Sequence, residues 1–444
     1  MTDKIITEKS KYGVLLMSLY FSSSDAQRVE KSLDELRLLV ETAISDEYEC
    51  SFYYMTQLRP SPEAATYIGI GKAKEAAELC KNEGISLVVF DCELSPSQIK
   101  NLEKEIGTED SDLRVIDRTM LILDIFAKHA VTGEGKLQVE IAQLRYTAPR
   151  LTGKGIALSR QGGSAGGSVG ARGPGETKLE TDRRHIKRRI TALEEALHEL
   201  ESNRDIMRSK RTKSNIPNIA IVGYTNAGKS TLLNYLTDAG VLSENKLFAT
   251  LDPTVRKLAL PSGLEILLTD TVGFINNLPH GLVKAFRSTL DEAKYADLLL
   301  ILIDASDEDA EMKKEVTEKT LSELDAGGKP IIYVFNKCDM LDSIPEKQYV
   351  GDKKAIFVSA KTGYGIERLL ELCEDELSGA LRKVKFLFPF DVQAPLNNLY
   401  KTATVLSVDY TEDGSLVEVL CSQKQYGMYK EYLLDEYREA EDEE

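Results

Sequence analysis

Long apolar runs are missing from this sequence. None reaches the roughly 18 residues a membrane-spanning helix needs. Gly13-Val14-Leu15-Leu16-Met17-Ser18-Leu19-Tyr20-Phe21 is too short and reads as a first strand, not a signal peptide. Paired cysteines are missing too. Cys50, Cys80, Cys92, Cys338, Cys373 and Cys421 are scattered without C-x-x-C spacing, so a reducing cytosol is the simplest compartment. Positive charge is short: 56 Lys and Arg stand against 72 Asp and Glu, a net −16. The acids gather at Glu436, Glu439, Glu441, Asp442, Glu443 and Glu444. Such a balance favours solubility and argues against general nucleic-acid affinity. At 444 residues the chain should form two or more domains.

What is present starts with Gly223-Tyr224-Thr225-Asn226-Ala227-Gly228-Lys229-Ser230. The apolar run Ile219-Ala220-Ile221-Val222 precedes it, and Thr231-Leu232-Leu233-Asn234-Tyr235-Leu236 follows. Strand, glycine-bounded loop and helix are the context that a G-x-x-x-x-G-K-[ST] match requires. The glycines let backbone N–H groups curl around phosphate oxygens, and the helix N-terminus points at the same anion. Lys229 supplies a point charge for the β- and γ-phosphates, and Ser230 a hydroxyl for Mg²⁺.

The base should be read by Asn336-Lys337-Cys338-Asp339, after the apolar run Ile331-Ile332-Tyr333-Val334-Phe335. An ionised Asp only accepts hydrogen bonds. Guanine offers two parallel donors, N1–H and the exocyclic amine, and adenine does not. Lys337 can lay its stem over the base face. Ser359-Ala360-Lys361, after Ala355-Ile356-Phe357-Val358, fits a second base-reading element, with the Ala360 N–H the expected donor to guanine O6.

Between these motifs lies Asp270-Thr271-Val272-Gly273, after Leu264-Glu265-Ile266-Leu267-Leu268. Asp270 is placed to hold Mg²⁺, and the Gly273 N–H to touch the γ-phosphate. Phe248-Ala249-Thr250-Leu251-Asp252 reads as a switch loop, with Thr250 a second hydroxyl for Mg²⁺. Lys229, Thr250 and Gly273 form the expected catalytic set; Ser230, Thr250 and Asp270 form the expected metal set. Four ordered motifs, each at the end of an apolar strand, look like a GTPase domain of the translation-factor-related class over residues 214–381.

One group is absent. Many small GTPases follow D-x-x-G with a Gln that orients the attacking water. Here Phe274 stands in that place. Either the chain is a slow switch, or another element or a partner positions the water. Asn226 also has two readings: some GTPases with Asn at this place use K⁺ as an added positive charge, and an Asn can simply stabilise its own loop.

Residues 1–117 read as an α/β domain. Strands fit 13–20, 49–56, 86–91 and 113–116; helices fit 25–43, 72–83 and 96–106, the last started by Ser95-Pro96. Gly69-Ile70-Gly71-Lys72 reads as a tight turn before a helix. Residues 118–212 carry two heptad seams, Leu137/Ile141/Leu144 and Ile186/Ile190/Leu193/Leu197/Leu200, which predict an antiparallel helical hairpin. Its tip, Gly153 to Lys178, is too rich in glycine to pack a core. From 145 to 190 eleven bases face three acids, a local +8 against the global sign. The bases include Arg160, Arg172, Lys178, Arg183 and Arg184, and RNA contact is the expectation they carry. Residues 383–444 read as a small α+β appendage with no recognisable chemistry.

The chain as a whole resembles the HflX family, in the Obg–HflX branch of GTPases. The resemblance rests on Leu158-Ser159-Arg160-Gln161-Gly162-Gly163, on Arg172-Gly173-Pro174-Gly175-Glu176-Thr177-Lys178-Leu179-Glu180, on Phe248-Ala249-Thr250-Leu251-Asp252-Pro253-Thr254, and on Asp270-Thr271-Val272-Gly273-Phe274. Gln138-Val139-Glu140-Ile141-Ala142-Gln143-Leu144 is similar to the family's helical segment. The resemblance implies a protein that binds GTP and GDP, engages the large ribosomal subunit and its RNA, and in its GTP state splits or rescues stalled ribosomes. It places the glycine-rich tip near the peptidyl-transferase region. Ser164-Ala165-Gly166-Gly167-Ser168-Val169 departs from the pattern as a longer tip. Assistance in subunit assembly, and nucleotide sensing with incidental hydrolysis, are the competing expectations.

Overall fold

A run as apolar as Val14-Leu15-Leu16-Met17 belongs in the middle of a parallel sheet, where both faces are covered. In the computed structural model these four residues are buried in β1 (Ser10–Tyr20), the second strand of a four-stranded sheet. The structure describes residues 10–44, 48–107, 113–150, 178–213, 216–237, 247–248, 253–275, 292–345, 349–379, 381–391, 395–396, 399–400 and 403–434. Contacts divide the chain into two units. The first runs to residue 199 and also takes in Leu247 and Phe248; the second holds most of the remainder.

In the first unit, β2 (Tyr48–Leu58), β3 (Ile85–Phe90) and β4 (Arg114–Asp117) join β1 in the order β2-β1-β3-β4, all parallel. Helices α1 (Ala26–Ala43), α2 (Ile70–Glu83) and α3 (Pro96–Ile106) connect the strands. The expected strands and helices of this region therefore all form, within a few residues. Ser95 caps α3 as its sequence predicts: its hydroxyl accepts from the Gln98 N–H at 3.3 Å, and the Gln98 side chain accepts from the Ser95 N–H at 2.9 Å. The separate turn expected over Gly69-Ile70-Gly71-Lys72 does not form: Gly69 is the extended residue that precedes α2, and Ile70, Gly71 and Lys72 already make its first turn.

Helix α4 (Arg118–His129) packs on α1, and α5 (Gly133–Thr147) packs on α4. Asp117, fully buried, caps α4 through the Met120 N–H and accepts from the Leu94 N–H, each at 2.9 Å, and from the Tyr146 hydroxyl. Arg118 is 2% exposed and is paired with Asp91 at 2.6 Å and with Glu35. Burial pulls its pKa down, but Glu35 and Asp91 more than offset that and hold it above the ordinary arginine value.

The antiparallel hairpin needs a correction. Helix α6 (Lys178–Lys213) meets α5 through two exposed ion pairs, Arg189–Glu140 and Arg145–Glu194. Both pairs are 49 residues apart in sequence. A constant offset means that the two helices run in the same direction along this contact; an antiparallel pair would keep a constant sum. Ile141 and Leu193 are buried as the seams predict, whereas Leu200 is 38% exposed. The glycine-rich tip with Arg160 and Arg172 lies outside the described residues.

The second unit is built on a seven-stranded sheet. Its strands are β5 (Asn218–Gly223), β6 (Thr254–Ala259), β7 (Glu265–Asp270), β8 (Leu298–Asp304), β9 (Ile331–Asn336), β10 (Tyr349–Val350) and β11 (Lys353–Phe357), in the order β10-β11-β9-β8-β5-β7-β6. The edge strands β6 and β10 are antiparallel and the inner five are parallel. Helices α7 (Lys229–Thr237), α8 (Ala310–Glu323) and α9 (Ile366–Gly379) belong to the same unit. Ile221, Leu232, Leu268, Leu300, Val334 and Leu369 fill its core. A three-stranded antiparallel sheet follows, β12 (Leu381–Phe388), β13 (Thr404–Tyr410) and β14 (Ser415–Ser422), ordered β12-β14-β13. One face is sealed by Val384, Phe386, Phe388, Val417 and Val419, against Tyr426 of α10 (Gln423–Met428) and Tyr429.

Candidate nucleotide site

The ends of β5, β7, β8 and β9 converge where a doubly wound sheet binds its ligand. Gly223 ends β5 and Lys229 opens α7, so the expected phosphate loop is a strand-to-helix turn. Asn226 sits at φ +61° and Gly228 at φ +95°, and both are in the left-handed region. Asn tolerates that conformation, so the loop by itself accounts for the residue type at 226. At Gly228 a β-carbon would stand 2.2 Å from Asn336 Nδ2, so glycine is required for packing as well as for φ.

Lys229 is 7% exposed. Its ammonium donates to the carbonyls of Gly223 at 3.2 Å and Tyr224 at 2.8 Å. Burial pushes its pKa down to about 8, against the opposing pull of Asp270. A charge held this way is pre-placed for an anion. Ser230, in the first turn of α7, donates its hydroxyl to Asp270 Oδ2 at 2.7 Å. A hydroxyl and a carboxylate side by side are a hard-oxygen pair that suits Mg²⁺.

The Asp270-Thr271-Val272-Gly273 stretch is locked to β5. The Thr271 hydroxyl donates to the Ile221 carbonyl at 2.8 Å. Phe274, 2% exposed, donates its N–H to the Gly223 carbonyl at 3.0 Å and accepts from the Thr225 N–H at 2.8 Å. Val272 is buried beside them. A buried phenyl ring without a polar atom can orient no water.

Asn336 is the clamp of the base-reading end. Its Nδ2 donates to the Ala227 carbonyl at 2.8 Å, and its Oδ1 accepts from the Ala360 N–H at 2.9 Å. The Ala360 N–H, expected for guanine O6, is therefore engaged by Asn336 in this structure, because the amide end of Asn336 already faces the phosphate loop. Lys337, at φ +63°, donates to Asp304 Oδ2 at 2.6 Å. Asp304, which holds Lys337, belongs to no motif; an acid closing the apolar run of β8 was the available signal. Asp339 and Lys361 are exposed, and Ser359 is fully buried with its hydroxyl accepting from the Thr362 N–H at 3.2 Å. Thr231 continues α7.

The switch residues Ala249, Thr250, Leu251 and Asp252 lie outside the described residues. Phe248 is described, and its side chain belongs to the core of the first unit. Its ring meets Phe126 of α4 edge-to-face, with centroids 4.7 Å apart. The Leu247 N–H donates to Thr42 Oγ1 of α1 at 3.3 Å.

This fold and this loop define a P-loop GTPase. Four family descriptions match the chain in order: GTP-binding GTPase N-terminal over residues 30–127, GTP-binding GTPase Middle Region over 129–211, 50S ribosome-binding GTPase over 218–337, and HflX C-terminal domain over 346–431. The GTPase HflX of Caldanaerobacter subterraneus subsp. tengcongensis is 49% identical, over 94% of this chain and 93% of its own. That of Escherichia coli is 40% identical, over 90% and 91%. A GTP-binding protein of Sulfolobus solfataricus, solved in complex with GDP, is 26% identical with a TM-score of 0.43, covering 83% of this chain and 99% of that one. The chain belongs to the HflX family of GTPases, and it binds and hydrolyses GTP.

Proposed function

We propose that this GTPase acts on the large ribosomal subunit and, in its GTP-bound state, splits or rescues stalled ribosomes in the cytoplasm. The observation that carries the reading is a basic face on an acidic protein: Arg183, Arg184, Lys187 and Arg188 are all exposed along α6. They adjoin a glycine-rich stretch with Arg160, Arg172 and Lys178, the composition that lets a backbone approach RNA phosphates. The 50S ribosome-binding description of the matching family supports it.

Within this reading Asp339 reads guanine, and Lys229, Gly273 and the loop N–H groups hold the phosphates. Ser230 and Asp270 would hold Mg²⁺ together with Thr250. The ion neutralises charge developing on the phosphates when bound. Comparing turnover in K⁺ and in Na⁺ tests whether Asn226 has a second role beyond its loop.

Asp339→Asn is expected to lower GTP affinity by about 1.5–3 kcal/mol, the range for a charged hydrogen bond. Xanthosine triphosphate, with a carbonyl in place of the amine, should gain. Direct titration of both nucleotides decides it, and unchanged GTP binding would place base reading elsewhere.

Replacing Arg160, Arg172 and Lys178 together with Ala should weaken ribosome binding and flatten its salt dependence, because fewer phosphates are neutralised. GTP affinity of the free protein should stay the same. Sucrose-gradient profiles with a non-hydrolysable GTP analogue give the readout. Intact binding and splitting would make the basic stretch an ordinary solvated surface; subunits that bind but never separate would favour a role in assembly.

A further inference from the structure

The missing glutamine leaves one chemical task without an owner: a polar group beside the γ-phosphate that holds the attacking water. The buried hydroxyls and amides on this side of the site have partners. The Thr271 hydroxyl is spent on Ile221, the Ser230 hydroxyl on Asp270, and the Asn336 amide on Ala227 and Ala360. Thr225 differs. It is 6% exposed, and its Oγ1 is buried with no hydrogen-bond partner among the described residues. An orphaned buried hydroxyl is destabilising, so it stands out in a loop where neighbouring groups are satisfied.

Its position is also specific. A β-carbon built on Gly273 would stand 2.8 Å from Thr225 Cγ2 and 2.9 Å from Lys229 Nζ. Thr225 thus lies against the glycine whose N–H is assigned to the γ-phosphate, with the phosphate-binding ammonium beside it. Its own N–H is fixed by the carbonyl of Phe274, the residue that took the glutamine's place.

We propose that the Thr225 hydroxyl is a catalytic group of this GTPase, positioning the attacking water against the γ-phosphate in place of the absent glutamine. In the step itself the water oxygen bonds to the γ-phosphorus while the bond from phosphorus to the β–γ bridging oxygen breaks. GDP leaves with that oxygen and the electron pair, and the water's proton ends on inorganic phosphate. Thr225 accepts a hydrogen bond from the water and donates one to a γ-phosphate oxygen; it exchanges no proton overall.

The proposal rests on the hydrolysis already assigned to this chain, and is tested on the full-length protein. Thr225→Val keeps the shape and removes the oxygen. Single-turnover GTP hydrolysis should fall about 100-fold, the usual cost of one lost transition-state contact. GDP affinity should stay within about twofold, and binding of GDP with aluminium fluoride, which mimics the transferred phosphoryl group, should be lost. Thr225→Ser should restore most of the rate. The melting temperature without nucleotide should hold or rise, since an unpaired hydroxyl is removed from the interior. Hydrolysis by Thr225→Val at the wild-type rate overturns the proposal. So does a parallel loss of GDP affinity and thermal stability, which would make the side chain structural.

Discussion

Lys229→Ala should cut GTP turnover about 1,000-fold, both for the free protein and with large ribosomal subunits present. Phosphoryl transfer needs little from a protein except placement and charge, so the loss of a fixed cation falls directly on the rate. The structure shows why no neighbour can substitute. The ammonium is buried and is aimed by two carbonyl acceptors, Gly223 and Tyr224, at 3.2 and 2.8 Å. Burial depresses its pKa to about 8, against the pull of Asp270. Nucleotide binding should weaken as well, and two buried carbonyls lose their donor. Single-turnover hydrolysis and GDP titration on the same preparation separate the two effects. Retained hydrolysis in the Ala variant would mean that the phosphates sit elsewhere.

Arg118→Ala should lower the stability of the first unit by about 3–5 kcal/mol, the cost of breaking a buried ion pair from one side. Asp91 is 4% exposed and Glu35 15% on the side chain, so both carboxylates would be stranded next to each other. The three charges tie α4 to the end of β3 and to α1. Urea unfolding of the full chain, followed by circular dichroism, measures the shift. A control removes all three charges, Arg118→Met with Asp91→Leu and Glu35→Leu. It should recover most of the loss, because an apolar cluster of similar volume bears no desolvation cost. An unchanged midpoint for Arg118→Ala would show that Glu35 and Asp91 are already solvated.

GTP hydrolysis is expected to survive Arg118→Ala at temperatures where the fold persists, because the phosphate loop lies in the other unit. The comparison is informative for another reason. Phe248 packs against Phe126, eight residues along α4 from Arg118, and it stands two residues before Thr250. A loss of hydrolysis by a folded Arg118 variant would overturn that expectation.

The local devices were legible from sequence. A strand, a glycine-bounded turn and a helix appear where the phosphate-loop motif stands, because each depends on residues within one short window. The Ser95-Pro96 start of α3 and the four strand segments of the first unit were legible for the same reason: caps and buried apolar runs act over a few residues. What remained for the tertiary structure were pairings across the chain. Motif spacing does not mark β8, an unbroken apolar strand without a functional signature, and so missed Asp304 at its end. Heptad seams show which helix faces are apolar, but carry no sign for direction, and the ion pairs of α5 with α6 supplied it. Hydrogen-bond donors look free in a sequence; only the fold shows that the Ala360 N–H is spent on Asn336 and that Thr225 Oγ1 has no partner among the described residues. Phe248 reads as a switch residue from its neighbours in sequence, yet an aromatic ring goes where a cavity accepts it, and the cavity was made by helices more than a hundred residues away.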